Sequence, residues 1–304
     1  MAWKGVHLTK PARLYLADGQ LVVEQDVETR IALEDIGWII VDDHRITLTA
    51  KLLSACMASG IALITTDERH TPSGMTLPFH THHRQAAVAS TQLAASTPLK
   101  KRLWQAIVRS KIVNQSTCLA ALHRQGSEKV AAMAQHVGSG DPDNTEARAA
   151  RAYWSELFDD FARGDEGDRR NKMLNYGYAV VRAGVARALV GSGFMPCVGL
   201  HHANDTNGFN LADDLIEPFR PFVDAEVFQA IGAKRPIESD LTIADRRTMA
   251  GILLREARFD GEVMTLLSAT ERVAASLVRA LEGNDPKVLA LPRLIVPSRD
   301  ECAA

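Results

Sequence analysis

The residues of this chain with the most chemical potential are four acids and a histidine pair between positions 146 and 217. Glu146 precedes Ala150, Tyr153, Trp154 and Leu157 by 4, 7, 8 and 11 residues, so a helix would align it with an apolar stripe rather than with solvent. Glutamate is rarely buried without a partner. The alternative is a place in the first helical turn beyond the core rim, complementing the helix N-terminus, because DPDNT just before it reads as a start signal. A second group lies in HHANDTNGFNLADDLIEPFRP, 201–221. Asn210 is a plausible N-cap, with Asp213 in a capping-box-like role. Asp214 has no such explanation, and Glu217 follows it at i+3, where two carboxylates can converge. Like charges at that spacing need a cation or a shared proton. Pro218 removes the hydrogen bond to the Asp214 carbonyl, so a kink or helix end is expected there.

A glutamate, a His pair and an Asp/Glu pair suit a hard divalent cation. Mg²⁺ prefers carboxylates and water, and imidazole is acceptable where Mn²⁺ substitutes. Such an ion can polarise a phosphate and activate a nucleophile. Zinc fits less well, for there is no HExxH helix and the four cysteines are scattered. There is neither a GxxxxGK[ST] phosphate loop nor a G-x-S-x-G elbow.

Two kinds of element must position these groups. Short apolar runs at Ala12–Leu16 and Gln20–Val23 flank Asp18-Gly19, a hairpin signal. Arg30–Leu33, Trp38–Val41 and Ile61–Thr66 read as further strands, and Thr49–Ala58 as a short helix. Segment 67–84 holds two prolines and four histidines and breaks the composition. Beyond it, helical spacing governs 100–115, Glu146–Phe161, Asn175–Gly191, Leu241–Arg258 and Gly261–Leu281. The expected class is α+β: a small β-rich N-terminal domain (1–70), a linker (71–84) and a larger all-α C-terminal domain (85–304). At about 150 residues per domain, 304 residues fit two. The tail LPRLIVPSRDECAA is left open between order on a partner and disorder.

The net charge of −2 argues against a uniformly basic protein. It hides an asymmetry: residues 71–140 carry eight Lys/Arg and one acid, a net +7, which leaves −9 for the rest. That window is either a solvated helix face or a phosphate-binding surface. Sparse cysteines fit a reducing compartment, and no secretory signal or run of about 18 apolar residues is visible; a cytoplasmic location without membrane contact is expected.

At these residues the chain resembles the integrase-nucleases of CRISPR adaptation, the Cas-one family, in the variety that accompanies type II systems. LWQAIVRSKIVNQ (103–115), NTEARAARAYW (144–154), RRNKMLNYGYAVVRAGVARALV (169–190) and VGLHHANDTNGFNLADDLIEPFRPFVD (198–224) carry the resemblance, which runs to about residue 285. It implies a metal-dependent DNA endonuclease and integrase of spacer acquisition, which joins prespacer 3′-hydroxyl ends to the CRISPR array by transesterification. It implies Glu146, His202 and Glu217 as catalytic metal ligands for Mg²⁺ or Mn²⁺. His202 is chosen over His201 for its 15-residue spacing to Glu217. Asp214 matches an acid whose importance varies between relatives. Where many relatives carry Asp at the last ligand, this chain has Glu217, which alters reach rather than chemistry. The implied partners are DNA (prespacer and leader-repeat), a second copy in a homodimer joined through the N-terminal domains, and the small second adaptation protein in a heterohexamer. Whether type II effector proteins take part is left open. Arg84, Lys100, Lys101, Arg102, Arg109 and Lys111 then become candidates for DNA phosphates. The alternatives are a noncatalytic DNA-binding scaffold of the adaptation complex and a small-molecule metallohydrolase.

Overall fold

The computed structural model describes residues 4–79 and 82–295. The strands β1 (Lys4–Leu8), β2 (Arg13–Ala17), β3 (Gln20–Glu24), β4 (Thr29–Ala32), β5 (Ile36–Val41), β6 (Thr47–Leu48), β7 (Ala62–Thr66) and β8 (Pro72–Thr76), with helix α1 (Ala50–Ala58), form the N-terminal part. They make two four-stranded sheets, ordered β1-β5-β7-β8 and β4-β3-β2-β6. The hairpin between β2 and β3 turns on Asp18 and Gly19, both left-handed at φ 51° and 73°, the backbone that a two-residue turn between twisted strands requires. Thr49 caps α1 by accepting from the Leu52 amide. Leu14, Leu21, Ile39 and Leu52 fill the space between the sheets and α1.

Strand alternation then joins this part to the rest. Trp38 and Ile40 point to the opposite face of β5 from Ile39, into the helical core. The Trp38 indole donates to the Ala250 carbonyl at 3.0 Å. A Cβ on Gly5 would come within 2.2 Å of the Trp38 ring, so β1 can lie beside it only with glycine there.

The C-terminal part comprises α2 (Gln85–Ala94), α3 (Thr97–Ala121), α4 (Ser127–Gln135), α5 (Thr145–Leu157), α6 (Arg169–Gly191), α7 (Asn210–Leu215), α8 (Arg220–Ile231), α9 (Ile243–Ala250) and α10 (Leu266–Glu282). The Ala/Val-rich α6 is buried along most of its length. A Cβ on its Gly177 would approach Val223 of α8 to 2.5 Å, so glycine allows these helices their close contact. No helix among the described residues is long and apolar enough to cross a membrane.

Three sequence expectations are corrected. Residues 71–84 are not wholly a linker, because β8 pairs antiparallel with β7 and extends the first sheet to Thr76. The C-terminal part is not all-α: β9 (Glu256–Phe259), β10 (Glu262–Thr265) and β11 (Arg293–Leu294) form a three-stranded sheet. The helical spacing in Leu241–Arg258 and the start of Gly261–Leu281 is overridden by the Asp260-Gly261 turn, both left-handed at φ 50° and 88°. The end of the C-terminal tail, 296–304, lies outside the described residues.

Trp38 is 1 % exposed and contacts both halves of the chain. Trp38→Ala should lower the unfolding free energy by about 3–5 kcal/mol, read as a drop in the urea midpoint. An unchanged midpoint would contradict its place at the junction.

Candidate metal centre

Glu146 owes its position to the start of α5. The Asp141 carboxylate accepts from the amides of Thr145 and Glu146, each at 2.9 Å, and thereby satisfies two open donors of the helix. The apolar stripe expected here divides in two. Ala149, Tyr153 and Leu157 are fully buried in the core, whereas Glu146, Ala150 and Trp154, four residues apart, line an adjacent cleft of about 270 Å³. Glu146 is thus both a first-turn acid and a cleft acid.

Glu217 enters the same cleft from the other side. α7 stops at Leu215 and a 3-10 turn spans Glu217–Phe219 before α8 begins, the break expected at Pro218. Asn114 of α3 pins this turn by donating to the Pro218 carbonyl at 2.8 Å.

Between the two acids stands Lys111 of α3. Its Nζ donates to Glu146 Oε1 and lies 2.5 Å from Glu217 Oε2. Glu217 Oε2 is buried and has no well-aligned donor despite this ion pair. Glu217 Oε1 accepts from Arg220 Nε at 2.8 Å, and the Arg220 guanidinium lies over the Tyr178 ring. Burial pushes the Glu217 carboxyl up, but Arg220 and Lys111 outweigh it and hold the pKa at about 2. Burial likewise opposes the Lys111 charge, and Glu217 and Glu146 overcome it, so its pKa is raised. Lys111 is therefore a buried counter-ion, which corrects its expected role in phosphate contact. Its place on the buried Trp104–Val108–Gln115 face of α3 was the available signal, because helical spacing groups those positions.

Asp214 and Glu217 do not converge. Asp214 is fully buried and turns to the preceding loop. It accepts from the amides of Leu200, His201 and His202 and pairs with His202 Nδ1 at 2.7 Å. The hydrogen bond to Asp214 raises the His202 pKa and leaves Nε2 as the outward nitrogen. A carboxylate behind a histidine is the usual outer partner of an imidazole ligand. Trp104 fixes the pair further: His201 stacks on it at 4.2 Å and His202 meets it edge-on at 5.7 Å. Asp213 makes no capping box; it pairs with Arg182 at 2.6 Å, and the Asn210 side chain bonds to loop carbonyls instead.

The described residues thus bring Glu146 and Glu217 together and place His202 on a neighbouring loop, outside the cleft. Among them, no three His, Cys, Asp or Glu groups stand close enough to hold an ion. The donor types nonetheless fit a hard divalent cation: two ionisable carboxylates, one with a poorly satisfied buried oxygen, and an oriented imidazole. Of the basic candidates, Arg84 pairs with Glu282 at 2.8 Å. Lys100 is half-buried, and Lys101 is exposed beside Gly140. Arg102 and Arg109 line a separate groove.

With this geometry in view, the fold matches the structure titled "Casposase bound to integration product", with a TM-score of 0.77 over 99% of this chain and 97% of that one, at 18% identity. It also matches a chain of a Cas6-RT-Cas1–Cas2 complex, with a TM-score of 0.73 over 97% of this chain and 36% of that one, at 18% identity. The model of the family described as CRISPR associated protein Cas1 matches residues 6–259. A CRISPR-associated endonuclease Cas1 of Neisseria meningitidis serogroup C (strain 8013) is 35% identical over 297 residues, which cover 97% of both chains. This chain belongs to the Cas1 family, and it is a nuclease that serves CRISPR spacer acquisition.

Behind the cleft, Asp224 accepts from the hydroxyls of Tyr153 (3.0 Å) and Tyr178. Burial raises its pKa to about 6, against the pull of both hydroxyls. The folded state therefore favours the protonated acid. Its stabilising contribution is present below about pH 4 and fades as pH rises through 6. Asp224→Asn should remove up to about 3 kcal/mol of stability change between pH 4 and 7, at about 1.4 kcal/mol per unit. Urea midpoints of both proteins across that range check this, and parallel curves would refute it.

Proposed function

We propose that Glu146, His202 and Glu217 hold a divalent cation, Mg²⁺ or Mn²⁺, and that the cleft joins a prespacer 3′-hydroxyl to the CRISPR array. The observation that carries this reading is the approach of two carboxylates, from α5 and from the α7–α8 turn, to one buried positive charge. In the reaction, the DNA 3′-oxygen attacks a target phosphorus and a new phosphodiester forms. The existing bond to the leaving 3′-oxygen breaks, and that oxygen takes a proton. A cation bound here supplies Lewis acidity to the hydroxyl and the phosphodiester. Arg220 keeps Glu217 ionised and aimed, while the Asp141 cap fixes Glu146. Asp214 orients His202 so that Nε2 faces outward.

The substrates proposed are prespacer DNA and the leader-repeat, held partly by Lys100, Lys101, Arg102 and Arg109. The proposed assembly is a homodimer joined through the N-terminal domains, with the small second adaptation protein completing a heterohexamer; the Cas1–Cas2 complex among the fold matches supports this partner. Participation of type II effector proteins and a cytoplasmic location belong to the same reading.

Joining of prespacer DNA to a supercoiled array plasmid, with the partner protein and Mn²⁺, tests it. Glu217→Gln should reduce joining at least ~100-fold, while DNA affinity stays within about threefold. Because Glu217→Gln also leaves Arg220 short of a buried partner, Glu146→Gln, at a 28% exposed side chain, serves as the second variant. Undiminished joining by both variants would overturn the ligand assignment and favour a noncatalytic scaffold.

A further inference from the structure

A second basic surface lies on the far side of α3. Arg102 and Arg109, seven residues apart, share one face of this helix. Lys111 follows Arg109 by two residues, about 200° around the axis, and faces the metal cleft. The face bearing Arg102 and Arg109 borders a groove of about 770 Å³ whose other wall carries Arg258, Lys287 and Arg293. Among the described residues no carboxylate pairs with any of these five cations, and Asp260 is the one acid that lines the groove.

The small sheet makes this arrangement costly for the free protein. Register in the β9–β11 pair sets Arg258 directly opposite Arg293. Both point outward, since Ala257, Phe259 and Leu294 on the alternate face are buried. Like charges directly opposite on paired strands destabilise them. Four guanidiniums and one ammonium facing one groove need an anion, and guanidinium forks match phosphate oxygens. Ser110, 6% exposed, adds a buried hydroxyl without a partner at the same groove.

We infer that this groove binds the phosphodiester backbone of DNA at a segment remote from the reacting end. The inference rests on the DNA-joining reading above, but it concerns a surface on the opposite side of α3 from the cleft. The groove positions DNA and carries no sequence information, because its partners are phosphates.

The test is the salt dependence of binding a 30-base-pair duplex to the full chain, by fluorescence anisotropy in EDTA. Arg258→Gln/Arg293→Gln should lower the slope of log K against log salt by about 2, at ~0.9 per phosphate contact. Affinity at ~150 mM salt should fall at least ~10-fold. Melting temperature without DNA should not fall, because a like-charged pair has been relieved. Arg258→Lys/Arg293→Lys should restore most of the slope, and it decides the matter if the Gln variant misfolds. An unchanged slope in the Gln variant, or no recovery with Lys, overturns the groove assignment. Glu217→Gln should keep the wild-type slope while losing joining, so failure of the groove and failure of the metal centre give different results.

Discussion

A lysine ammonium buried between two carboxylates is the constraint around which the helical part is arranged. Lys111, Glu146, Glu217 and Arg220 lie on α3, α5, the α7–α8 turn and the start of α8, and their formal charges cancel. Removing each ion from water costs several kcal/mol, and only close, well-directed partners offset that cost. The scaffold must therefore hold four elements in register. Asp141 caps α5, Asn114 pins the turn at Pro218, and the tight contact at Gly177 keeps α6 against α8. A set of carboxylates gathered around one positive charge is also what a hard cation needs, so the structural and chemical requirements on these residues coincide.

The N-terminal part is tied to this scaffold by a second buried charge. Asp42, at the end of β5, is fully buried and pairs with Arg246 of α9 at 2.8 Å. It also meets His7 at 2.9 Å and His70 at 2.8 Å. Together with the Trp38 bond to Ala250, this fixes the β1-β5-β7-β8 sheet on the helices. The two parts share a core and a charge network, so a boundary drawn from composition alone describes the sequence better than the folded chain.

What could be read from the sequence was what local chemistry dictates. The Asp18-Gly19 hairpin, the short helix within Thr49–Ala58, the start of α5 and the break at Pro218 all follow from residues within a few positions of one another. What could not be read depends on contacts made far along the chain. β8 is a strand because β7 offers it an edge, and β11 because β9 does. Asp214 had the right spacing to join Glu217, yet three loop amides and an imidazole claim its oxygens. Resemblance pointed to Glu146, His202 and Glu217 as candidate ligands; it did not supply Lys111 as the counter-ion of the two glutamates, because a lysine in a basic window looks like surface until the helix face it occupies is known to be buried.

The same distinction governs the charge pattern. The basic window 71–140 is contiguous in sequence, but folding disperses it. Arg84 is neutralised by Glu282, Lys111 is buried, and only Arg102 and Arg109 reach the groove. Their companions there, Arg258, Lys287 and Arg293, come from the part of the chain whose net charge is negative. An electrostatic surface is set by which faces the elements turn outward, and the Arg258–Arg293 register is a property of a sheet that sequence periodicity did not reveal. A polyanion relieves the repulsion in that pair, whereas the acids at the cleft are already balanced by Lys111 and Arg220. The two faces of α3 are thus fitted to opposite charges: one gathers carboxylates around a cation, the other gathers cations around phosphate.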